Sequence, residues 1–89
     1  MAGPHFTTMR EIRIGEMLFR LRTISGGVIG IGGRVLPARG LFETWVLTSK
    51  GMIDGHRKSP DATWQGTPEE IETLAAALLD LAAAVRANP

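Results

Sequence analysis

Apolar and polar residues alternate along REIRIGEMLFRLRTI, from Arg10 to Ile24, and the alternation breaks only at Gly15-Glu16. A period of two belongs to strands with one buried face, and a Gly-X pair suits the two-residue type II′ turn of a hairpin. The expected register sets Ile14 opposite Met17, Ile12 opposite Phe19 and Arg10 opposite Leu21. The other face then holds Arg13 by Leu18, Glu11 by Arg20 and Met9 by Arg22. One face is oily. The other gathers Arg13, Arg20 and Arg22, with Glu11 placed to pair across the strands.

Strand patterning continues downstream. A strand is expected from about Val28 to Leu36, ended by Pro37, and another from Leu41 to Thr48. The tripeptide Met52–Asp54 and the stretch Ala62–Gln65 are shorter candidates, separated by a loop with Ser-Pro-Asp turn chemistry. The 41–48 strand is apolar on both sides, with Leu41, Trp45 and Leu47 on one and Phe42 and Val46 on the other. Strands of that kind are normally covered twice, and one helix can cover only one face. Either the sheet curls into a half-barrel or another chain supplies the second cover. Leu41, Trp45 and Leu47 are therefore candidates for self-association.

The period changes to 3.6 in the last third. Thr67, Pro68 and Glu70 form a capping-box signature with proline at the first helical position. Glu69, Glu70 and Glu72 suit the positive end of the helix dipole, and Arg86 suits the negative end. A helix is predicted over residues 68–86, about 28 Å long. Ile71, Leu74, Ala75, Leu78, Leu81, Ala82 and Val85 make one apolar stripe wide enough to cover a sheet. The opposite side exposes Ala76, Ala77, Ala83 and Ala84, with Leu79 at its edge. Alanine favours helix in any case, but a smooth surface also admits a second helix, so Ala76, Leu79 and Ala83 join the self-association candidates.

These elements predict a single α+β domain over residues 1–89, with frayed ends at about 1–6 and 87–89. Its sheet is small and mostly antiparallel, with four to six strands and N-terminal hairpins, and one C-terminal amphipathic helix packs on one face. With 89 residues there is room for one core only. Small domains often gain stability from disulfides, metals or self-association. Cysteine is absent, and His5 and His56 lie too far apart for a zinc spacing. Self-association is the expected route, in a homo-oligomer.

Charge is uneven although the net is +1. Residues 1–58 carry nine Lys/Arg and four Asp/Glu, giving +5, and residues 59–89 carry one and five, giving −4. Such asymmetry can mark a basic binding face. No apolar run approaches the roughly 20 residues of a membrane span, and the N-terminus lacks the pattern of a secretory signal. A cytoplasmic location, without membrane partners, is expected.

Chemical motifs are few. The glycine run ISGGVIGIGGRV suggests a phosphate cradle, but a dinucleotide fingerprint would need glycine at Val35 and a helix after it. A phosphate loop counted from Gly27 reaches Gly32, but Gly33-Arg34 stands where Lys-Ser/Thr is needed. Gly30 and Gly32 instead leave one side of a thin strand bare, where a partner can approach closely. Asp54, His56, Ser59 and Asp61 share a loop, yet their spacing matches no metal or nucleophile motif, and no cofactor is expected. His56, Arg57 and Lys58 form a short basic patch.

The candidate partner-binding residues are thus Arg13, Arg20, Arg22, Gly30, Gly32, His56, Arg57 and Lys58. The absence of a catalytic set points to a non-enzymatic binding module that docks on a protein partner. Its small size and its glycine-rich strand suit the accessory, inhibitory or structural-assembly proteins of phages and mobile elements. The alternative is a nucleic-acid binder that uses the arginines of the hairpin face, although stacking aromatics are scarce there.

Overall fold

The computed structural model describes residues 3–29 and 33–88. Its elements are β1 (His5–Ile14), β2 (Met17–Ser25), β3 (Val28–Ile29), β4 (Arg34–Val35), β5 (Arg39–Val46), β6 (Ala62–Gly66) and α1 (Pro68–Ala87). β1, β2, β5 and β6 form one antiparallel sheet in that spatial order, and β3 pairs with β4 alone. This is the expected α+β arrangement, with α1 packed on one sheet face.

The first hairpin follows its alternation. Gly15 has φ 60° while Glu16 stays at negative φ, which is the type II′ pattern. Ile14 pairs with Met17, Ile12 with Phe19, Glu11 with Arg20 and Arg10 with Leu21. The expected Met9–Arg22 pair does not form. A bulge lets Thr8 face Arg22 instead, and an extra residue of this kind bends an edge strand away from further pairing.

The segment expected as one strand, Val28–Leu36, is two short ones. Val28 pairs with Val35 and Ile29 with Arg34, so the segment doubles back. Gly33, at φ 66°, supplies left-handed backbone that a residue with a Cβ rarely adopts. The strand expected over 41–48 runs two residues earlier, Arg39–Val46, and the Met52–Asp54 candidate is reduced to a bridge from Ile53 to Leu47.

Pairing defines two sheet faces. Leu18, Arg20, Arg22 and Ile24 share the arginine face with Leu41, Glu43, Trp45 and, just past β5, Leu47. Ile14, Met17, Phe19 and Leu21 share the helix face with Phe42, Val46 and Trp64. The core is not where the oily hairpin face suggests. Ile24 is fully buried and Leu41, Trp45 and Leu47 are 6–8% exposed, all on the arginine face. On the helix face Ile14 is 63% exposed and Val46 stands open.

α1 explains this difference. Its start is tightly specified: Thr67 Oγ1 accepts from Glu70 N–H (3.2 Å), and Glu70 Oε1 accepts from Thr67 N–H (2.9 Å). Ile71 sits over Gly40, where a Cβ would come within 2.5 Å of its Cδ1. The Trp64 ring lies against Gly66 and meets Phe42 edge-on at 5.1 Å. These contacts seat the first turns at one corner of the sheet. Among the described elements the helix packs on β5 and β6 only, and none of its residues is buried. The molecule is correspondingly open, with a radius of gyration of 16.3 Å against about 12 Å for a compact chain of this length.

Candidate functional site

Arg13, Arg20 and Arg22 do share one face, but they are not equivalent. Glu43 lies between Leu41 and Trp45 on the same face and is 7% exposed. Its carboxylate faces Arg20 at 3.8 Å and Arg22 at 3.7 Å, and Arg20 also reaches Glu11 at 3.4 Å. The Arg20 guanidinium lies over Trp45 and that of Arg22 over Phe6, at 5.5 and 5.2 Å from the ring centroids. Arg13 extends to the turn at Gly51. Arg20 and Arg22 are thus engaged within the chain, and Arg13 lies beside the Gly51 turn. Glu43 was legible in the sequence: an acid at an inward position, Leu41-x-Glu43-x-Trp45, needs a cation close by.

The loop over residues 54–61 serves itself. Asp54 Oδ1 accepts from His56 N–H (2.9 Å), and its carbonyl accepts from Arg57 N–H. Asp61 pairs with Arg57 and accepts from Val46 N–H at 2.7 Å, tying the loop to the end of β5. His56 and Lys58 are exposed beside it. Among the described residues no three His, Cys, Asp or Glu side chains are grouped to hold a metal. Gly30 and Gly32 lie outside the described residues.

The self-association candidates divide. Leu41, Trp45 and Leu47 are enclosed by their own chain, whereas Ala76, Leu79 and Ala83 are exposed on α1. A larger apolar surface lies where the pattern suggested core. Leu78, Leu81 and Val85 are 54–62% exposed, and Leu79 reaches 72%. Ile14, Met17 and Val46 form a row across the far end of the helix face, the last two directly paired. Near the helix start, Met9, Leu21, Phe42, Pro68 and Ile71 line an apolar groove of about 590 Å³. Periodicity could not find this surface, because a stripe that packs on its own sheet and one that packs elsewhere have the same spacing.

Among the described residues no helix is long and apolar enough to cross a membrane. No protein-family model matches the chain, and neither a curated protein nor a solved structure does.

Proposed function

We propose that this chain is a non-enzymatic binding module of the cytoplasm that acts by docking on protein and by self-association. One observation carries the reading: a 20-residue amphipathic helix has no buried residue, and it leaves Leu78, Leu79, Leu81 and Val85 exposed. Soluble chains rarely present contiguous apolar surface of this kind unless a partner covers it. The loop acids support the same reading, since Asp54 and Asp61 already accept from His56 N–H and Val46 N–H. An accessory, inhibitory or assembly role, such as phages and mobile elements encode, suits a module of this size.

Affinity capture from the source cell tests the reading, carried out with and without nuclease. A protein partner that survives nuclease, and is lost with Leu79→Glu, is the expected result. Loss of all capture after nuclease would overturn it in favour of nucleic-acid binding through the arginines.

A further inference from the structure

We infer that the occupant of the bare helix face is a second copy of this chain, docked reciprocally so that the outer half of each α1 covers the far end of the other's sheet. The inference rests on the binding-module reading above and names the partner for its self-association.

Area sets the scale. The chain exposes 6988 Å², whereas a compact monomer of its mass exposes roughly 5,100 Å². The excess of about 1,900 Å² is more than twice the roughly 800 Å² that each partner contributes to a standard stable interface.

The chain also carries both halves of the missing layer. Sheets are stabilised when a helix covers their apolar face, and here a helix stripe lacks a sheet while a sheet end lacks a helix. The Gly40–Gly66 row under the helix start and the Ile14–Met17–Val46 row are six residues apart along β5, about 20 Å of strand. Its own helix, seated at the near row, packs only on β5 and β6 among the described elements and leaves Ile14 and Val46 of the far row exposed. The capping box, the Ile71–Gly40 contact and the Trp64–Gly66 contact fix where α1 starts.

The outer half of α1 carries only Asp80 and Arg86 and is neutral, so no net charge opposes its docking on an apolar row. Reciprocal docking is self-complementary and closes as a two-fold dimer. Pairing through sheet edges fits less well, because the Thr8/Arg10 bulge interrupts β1 and β6 is only five residues long.

The absence of cysteine makes a direct test practical. Chains bearing Leu81→Cys and chains bearing Ile14→Cys are mixed and oxidised, and the three possible disulfide-linked pairs are quantified. The mixed pair should exceed the statistical share severalfold. Leu78→Glu with Leu81→Glu should weaken dimerisation by at least about 100-fold while far-ultraviolet circular dichroism shows the sheet and helix retained. Statistical linking of all pairs would overturn the inference, as would a dimer that resists the double change but is broken by Thr8→Pro on the β1 edge. A wild-type chain that stays monomeric at high-micromolar concentration would overturn it too. In that case, nuclease-resistant capture of a different protein, lost with Leu79→Glu, would leave the binding-module reading standing.

Discussion

At the scale of single residues, Glu43 governs the arginine face. A carboxylate this buried costs several kcal/mol unless cations compensate it. Arg20 and Arg22 do so at 3.7–3.8 Å, yet among the described residues Glu43 Oε1, Arg22 Nε and Trp45 Nε1 have no hydrogen-bond partner. Compensation is therefore incomplete. A merely solvated arginine face would tolerate replacement with little change in stability. The structure implies otherwise. Arg20→Gln with Arg22→Gln should lower unfolding stability by about 1–3 kcal/mol by leaving the acid without cations. Adding Glu43→Met should recover most of that loss, and urea unfolding of the four proteins measures the cycle. The parity of Arg13, Arg20 and Arg22 was readable from alternation alone. The engagement of Arg20 and Arg22 was not, because it depends on which strand lies beside β2.

Among the elements, the helix and the first hairpin were the most legible, and for a local reason. A capping box, an N1 proline and a Gly-X turn act within a few residues of themselves, so sequence carries them whole. Thr67→Ala removes one side of that box and should cost about 1 kcal/mol, seen as a lower midpoint in thermal unfolding followed at 222 nm. The bulge at Met9 and the β3–β4 hairpin were illegible. A one-residue bulge leaves alternation intact on both sides. A glycine-rich run has no side-chain pattern with which to announce that it turns back, and Gly33 does so through backbone freedom alone. β5 shows a third case. Its two apolar faces signal a need for two covers, but do not say that the chain itself encloses Leu41, Trp45 and Leu47 while leaving Val46 open.

For the molecule as a whole, openness is the property that matters, with principal extents of 54 × 34 × 19 Å. Surface beyond that of a compact monomer is exposed at a cost of roughly 25 cal/mol for each apolar Å². Association removes that cost, so the dimer should be the stable form and its unfolding midpoint should rise with protein concentration. Sequence hid this property because helix–sheet packing has the same pattern within a chain and between chains. The most direct test is light scattering across a dilution series of the wild-type chain. A self-associating chain should show a molar mass of twice 9.6 kDa at high-micromolar concentration, falling toward one chain on dilution. A mass of 9.6 kDa throughout, with cooperative unfolding independent of concentration, would contradict self-association.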